Sequence, residues 1–94
     1  MALLTKSKRD SMTILADILR ALTTSEYSRK MFVVYKANLN FKRINRYLRI
    51  LLNTGMVQAI SSEDESALYR ITDRGREFLA GFDKLKNSLN SSKN

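Results

Sequence analysis

Between Phe41 and Asn53, the side chains Lys42, Asn45, Arg46, Arg49 and Asn53 recur at i, i+3, i+4, i+7 and i+11, which is the spacing of one helix face. Their chemistry is that of nucleic-acid recognition. Lysine and arginine neutralise phosphates, and each contact releases counterions and is therefore salt-sensitive. Asparagine offers a donor and an acceptor matched to an adenine edge, and arginine a fork matched to guanine. Asn40, Asn45 and Arg46, nearer the helix start, are candidate base-edge readers, while Lys42, Arg43 and Arg49 are candidate phosphate contacts. Lys30 and Lys36 join the phosphate set if the preceding helix crosses a nucleic-acid backbone. The other stripe of the segment, Ile44, Leu48, Leu51 and Leu52, is apolar and built to pack.

The charge distribution points the same way. The chain has 94 residues, 17 Lys and Arg against 9 Asp and Glu, and a formal net charge of +8. The first 26 residues and the stretch 63–94 mix both signs, whereas Tyr27–Ser62 contains no acid and the bases Arg29, Lys30, Lys36, Lys42, Arg43, Arg46 and Arg49. A solvated helix face usually mixes signs, so an acid-free basic window implies a polyanionic partner. Cysteine and histidine are both absent, which removes thiol nucleophiles, Cys and His metal sites and the usual general base near neutral pH. The composition favours binding over catalysis, and no cofactor or small-molecule substrate is indicated.

Three other groups invite chemistry and are better read as structure. Tyr35, Phe41, Tyr47 and Tyr69 could stack on single-stranded bases, but their spacing suits core and turn packing. Glu63, Asp64 and Glu65 are adjacent acids on a loop without the oxygen cage of a cation site. Lys6, Lys8 and Arg9 are a candidate basic arm. The run Met1–Leu4 is short for a signal peptide, and no stretch approaches the roughly 20 apolar residues of a membrane helix, so a soluble, intracellular, nucleoid-associated protein is expected.

A consistent set of elements positions these residues. Ser7 is a candidate N-cap, with Asp10 three residues on, for a helix over about 8–23 whose buried stripe is Met12, Leu15, Ile18, Leu19 and Leu22. A second helix over about 28–37 buries Met31, Val33, Val34 and Ala37. Asn38-Leu39-Asn40 is a tight turn, with Asn38 suited to a left-handed conformation and Asn40 to an N-cap. The basic helix spans 40–53 and ends at Gly55, a natural residue just past a helix end. Met56–Ser61 and Ala67–Ile71 form a hairpin around a polar tip at 62–66, and Thr72 caps a last helix over about 72–90. The fold class is therefore mainly α with a small β-hairpin, in the order of a winged helix-turn-helix with an added C-terminal helix, one domain over 1–94.

In the last helix, Phe78, Phe82, Leu85 and Leu89 recur at spacings of 4, 3 and 4, the seam of a coiled coil. Phe78 can fold back on the domain, but Leu85 and Leu89 lie beyond what so small a body covers, so these residues are expected to form a homodimer interface.

The stretches Tyr35-Lys36-Ala37-Asn38-Leu39-Asn40-Phe41, Tyr47-Leu48, Leu51-Leu52, Gly55-Met56-Val57 and Tyr69 through Leu79 together resemble a family of small archaeal winged-helix DNA-binding proteins. The resemblance spans about residues 10–85, nearly the whole chain. It implies dimerisation through the C-terminal helix, often as an antiparallel coiled coil, with the recognition helix at Asn40–Asn53 and the wing at 56–71. Two features depart from the family. The helix after Gly75 is shorter than in members with long coiled coils, and the tip Ser62–Ser66 is acidic where a minor-groove wing favours Arg or Lys.

The expected function is that of a homodimer binding double-stranded DNA, as a transcription regulator or nucleoid-type protein. The alternative is a winged-helix module that docks onto transcription machinery without reading DNA. RNA binding is disfavoured because no aromatic RNP-type strand or Gly-x-x-Gly loop is present.

Overall fold

The computed structural model describes residues 9–61, 64 and 66–91. Helix α1 spans Ser11–Leu22 and α2 Lys30–Lys36. A 3-10 turn over Phe41–Arg43 leads into α3, Ile44–Asn53. Strands β1 (Val57–Ser61) and β2 (Ala67–Ile71) follow, then α4, Asp73–Ser91. None of these helices is long and apolar enough to cross a membrane.

The first helix starts later than its sequence suggests. Asp10, not Ser7, is the N-cap, accepting the Thr13 N–H at 2.8 Å; Ser7 itself lies outside the described residues. That backbone donor holds the Asp10 carboxyl below the usual carboxylate range. The shift moves Met12 into the first turn, where it is 49% exposed, and the buried stripe becomes Ile14, Leu15, Ile18, Leu19 and Leu22.

The second helix is shorter than 28–37 because Ser28 has another use. Its N–H and C=O both pair with Tyr69, at 2.9 and 2.8 Å, as an isolated antiparallel bridge to the hairpin. Met31 then faces outward, and only Val33, Val34 and the C-cap Ala37 are buried. The hairpin's first strand starts at Val57, one residue after the expected Met56, and the strands are antiparallel with Val57 opposite Ile71 and Ser61 opposite Ala67.

The largest fully buried side chains, Ile18, Leu19, Leu22, Val33, Ile44 and Leu51, come from α1, α2 and α3 alone. Each contributes about 1.5–3 kcal/mol through burial. Val57, Tyr69, Ile71 and Leu79 seal the other side of this core. The contact between α1 and α4 is fastened outside by Arg20, whose guanidinium donates to both Asp83 oxygens at 2.8 and 3.2 Å. The same bond holds the Asp83 carboxyl below its ordinary range.

Thr72 couples the wing, α3 and α4. Its hydroxyl accepts the Gly75 N–H at 3.1 Å as an N-cap and donates to the Gly55 carbonyl at 2.6 Å. Gly75 is buried there because the helix passes close to the chain leaving α3. A Cβ at Gly75 would lie 2.3 Å from the Met56 carbonyl oxygen and 2.7 Å from Ile71 Cγ1.

Two stability predictions follow from these contacts. Gly75→Ala should cost about 2 kcal/mol or more in thermal denaturation, because backbone blocks the new methyl. Gly81→Ala, on the same helix with nothing within 4 Å of the new Cβ, should instead raise stability by about 0.5–1 kcal/mol. Equal losses in both variants would refute the close-approach account of Gly75. Asp83→Asn should cost about 0.5 kcal/mol at neutral pH, the scale of a solvent-screened pair. Because the folded Asp83 has the depressed pKa, its contribution is present above the range where free aspartate titrates, about pH 4, and is lost as pH falls through and below it. A wild type–variant gap that persists at pH 2 would assign the loss to packing.

Candidate nucleic-acid interface

Two left-handed residues place α3. Asn38 has φ 56° and Gly55 φ 78°, and among the described residues they are the only two with positive φ. Each closes a paired C-cap of the preceding helix. At the end of α2, Leu39 N–H donates to Val34 C=O at 3.0 Å and Asn38 N–H to Tyr35 C=O at 3.2 Å. At the end of α3, Met56 N–H donates to Leu51 C=O at 2.9 Å and Gly55 N–H to Leu52 C=O at 3.2 Å. This is the Schellman pattern at both ends.

Arg9 reinforces the first cap. Its guanidinium donates to the Ala37 and Asn38 carbonyls at 3.0 and 2.6 Å and pairs with Asp17 at 2.7 Å. It is thus a brace for the turn rather than part of a free arm; Lys6 and Lys8 lie outside the described residues.

Asn40 is the expected N-cap, its Oδ1 accepting the Lys42 N–H at 2.8 Å. That oxygen is already occupied, so Asn40 keeps only its amide and one lone pair for a base edge. Helix α3 buries Ile44, Tyr47, Leu48 and Leu51. Tyr47 is buried, as its core-packing spacing suggests, whereas Leu52 is 36% exposed because at i+8 from Ile44 it lies at the edge of the face that Ile44, Tyr47, Leu48 and Leu51 share.

Lys42, Arg43, Asn45, Arg46, Arg49 and Asn53 are all exposed on the rest of the helix. Arg46 lies over the Tyr47 ring, 5.9 Å from its centroid. Lys30 reaches across from α2 and donates to Asn45 Oδ1 at 2.6 Å, so one phosphate candidate and one base candidate form a unit. The side chains of Lys36, Lys42, Arg43 and Arg49 carry no ion pair among the described residues.

The placement of these charges opposes the helix itself. The first turn of α3 has no acid and follows directly on Lys42 and Arg43; its last turn has no base. Cations at the positive end of a helix dipole cost about 0.3–1 kcal/mol each. Helix stability would favour the reverse order, so the arrangement suits an anion approaching the N-terminal end of α3.

One basic residue of the same window has a different use. Arg29 contacts Ser66 Oγ and pairs with Asp64 at 3.7 Å, joining the N-terminal end of α2 to the wing tip. Ser66 Oγ also donates to Asp64 at 2.7 Å. Ser62, Glu63 and Glu65 of the acidic tip lie outside the described residues. Arg70, on the wing, lies over Tyr27 at 5.5 Å. Neither the Arg29 pairing nor the Lys30–Asn45 bond has a sequence signal, since the partners are 35 and 15 residues apart and meet only through tertiary packing.

On α4, Phe78 and Phe82 are half-buried against the core, stacked with centroids 6.2 Å apart. Leu85 and Leu89 are 63% and 62% exposed. The expected four-residue seam thus divides, with its first half spent on the chain's own core.

Comparison with known proteins agrees with this geometry. Among solved structures, the DNA-binding protein Sso10a-2 of Sulfolobus solfataricus matches with a TM-score of 0.76 and 27% identity, over 90% of each chain. The transcriptional regulator BldR of the same organism matches with a TM-score of 0.71 and 21% identity, over 84% of this chain and 58% of its own. A MarR-family transcriptional regulator from Silicibacter pomeroyi gives 0.70 and 20%, over 85% of this chain and 53% of its own. The chain therefore spans little more than half of these two regulators, and at such identities they share its fold. No curated protein sequence matches the chain. The family model described as "Winged helix-turn-helix" matches residues 8–90, and the chain, with its capped α2–turn–α3 unit and two-stranded hairpin, belongs to that family.

Proposed function

We propose that the chain is a homodimeric double-stranded DNA-binding protein, acting in the cytoplasm as a transcription regulator or nucleoid-type protein rather than as an enzyme. The observation that carries this reading is the row of exposed, unpaired cations set against the dipole of α3. The likeness to Sso10a-2, itself a DNA-binding protein, supports it. In this reading α3 lies in the major groove. Lys30, Lys36, Lys42, Arg43 and Arg49 hold the backbone while Asn45, Arg46 and the amide of Asn40 face base edges. Lys30 orients Asn45 until a phosphate competes for its ammonium.

The dimer is proposed to form through Leu85 and Leu89, which stand clear of the core on one face of α4. Phe78 and Phe82 extend that seam toward the body of the domain. A two-fold dimer would present two α3 helices about 34 Å apart, one turn of duplex.

The alternative, a docking module for other proteins, draws on the exposed face of α2, where Met31 and Tyr35 are 57% and 81% accessible. The two readings separate on one measurement. Fluorescence anisotropy with a labelled duplex should show binding whose log K falls with log salt at roughly −0.9 per phosphate neutralised. Arg46→Ala with Arg49→Ala, folded by circular dichroism, should weaken binding at least about tenfold and flatten that slope by about one phosphate contact, that of Arg49. Wild-type affinity in this double variant would move DNA contact off α3 and favour the docking module.

Leu85→Glu should yield a monomer in sedimentation, with weaker duplex binding because two half-sites no longer act together. An unchanged dimer would place the interface elsewhere.

A further inference from the structure

Away from α3, a cavity of about 370 Å³ opens between α1 and the C-terminal end of α2. This is within the roughly 300–1,000 Å³ of small-molecule sites. Its charged lining is Arg9, Arg20 and Lys36 against the single carboxylate of Asp17, with Ala21 and Ala37 as apolar wall. No residue of α3 lines it.

The charges are unevenly satisfied. Arg9 neutralises Asp17 at 2.7 Å and gives two further donors to the α2 cap. Arg20 is shared with Asp83 at the cavity rim and keeps about half of its side chain accessible. Lys36 has no partner among the described residues. The cavity therefore carries one uncompensated ammonium and one accessible guanidinium around a concave apolar floor.

We propose that this cavity is a binding site for a small oxyanion, a carboxylate or phosphate with at most a compact apolar body, held by Lys36 and Arg20. Lys36, proposed above as a phosphate contact, cannot hold both anions at once, so a small anion bound here competes with DNA for it. The free anion is favoured in the unbound protein because the site is concave and no residue of α3 lines it. An occupant competes with Asp83 for Arg20, the residue that fastens α4 to α1, and rests against the cap that sets the turn before α3. Occupancy is thereby linked to the seating of α4; this consequence rests on the dimer reading, whereas binding of the anion does not.

The test is a titration of the full chain, followed by amide NMR shifts at constant ionic strength. Sodium benzoate and inorganic phosphate are the anionic probes, benzamide is the neutral control, and a short duplex is the polyanion. Saturable shifts at Ala21, Thr24, Ala37 and Asn38 are expected with benzoate or phosphate and not with benzamide. Lys36→Gln should weaken that binding about tenfold, as expected for losing one charge-assisted contact, while Lys84→Gln on α4 should leave it unchanged. Shifts that fail to saturate, that appear equally with benzamide or that survive Lys36→Gln would overturn the site. Shifts produced only by the duplex would overturn the free-anion site and leave Lys36 to the DNA backbone alone. Because the titration requires neither DNA binding nor dimerisation, its failure is distinguishable from failure of the proposed function.

Discussion

The direction of α3 depends on two backbone residues in the left-handed region, and the rest of the molecule is arranged around them. Asn38 and Gly55 each turn the chain at a helix end where a continued right-handed residue would carry it straight on. Asparagine and glycine are the residues that take this conformation at small cost. The first turn swings α3 across α2, and Arg9 locks it by filling the carbonyls that the cap leaves open. The second sends the chain into β1, where Thr72 grips the Gly55 carbonyl and Gly75 lets α4 pass against Met56. Arg74 adds a further bond, to the Thr54 carbonyl at 3.1 Å. The exposed cations on α3 owe their common orientation to these two junctions, since α3 itself is only ten residues long.

Much of this was legible in the sequence because it rests on local rules. The left-handed Asn38, the Asn40 cap, the Gly55 stop, the Thr72 cap and the hairpin all follow from side-chain chemistry acting within a few residues. The errors lie where long-range contacts decide. Ser28 gives up helix for a bridge to Tyr69, 41 residues away, and this turns Met31 outward. Leu52 stays partly exposed because the packing of α3 centres its buried face between Tyr47 and Leu48, which a periodicity alone does not locate. Arg9 read as an arm because its targets are backbone carbonyls, which leave no mark in a sequence. The half-buried Phe82 likewise follows from how far α4 lies on α1, which Arg20 and Asp83 set from opposite ends of the chain.

The candidate site was legible as a set of residues but not as a set of relations. The acid-free window identifies which cations matter, yet it treats them alike. Folding divides them into three classes. Arg29 is paired with the wing tip; Lys30 is joined to Asn45 and Arg46 lies over the Tyr47 ring; and Lys36, Lys42, Arg43 and Arg49 have no ion pair among the described residues. The paired members act as positioning groups in the free protein, and their partners must be replaced before they can hold a phosphate. The unpaired members raise the energy of the free protein by mutual repulsion, and Lys42 and Arg43 also by their place at the positive end of the α3 dipole. An anion near α3 relieves that cost at the moment of contact, so these four residues contribute more to binding than an equal number of prepaired cations would. The acids of the chain are correspondingly absent from the α3 surface. Asp17 and Asp83 sit on α1 and α4, each against an arginine, where they stabilise the scaffold without shielding the basic face.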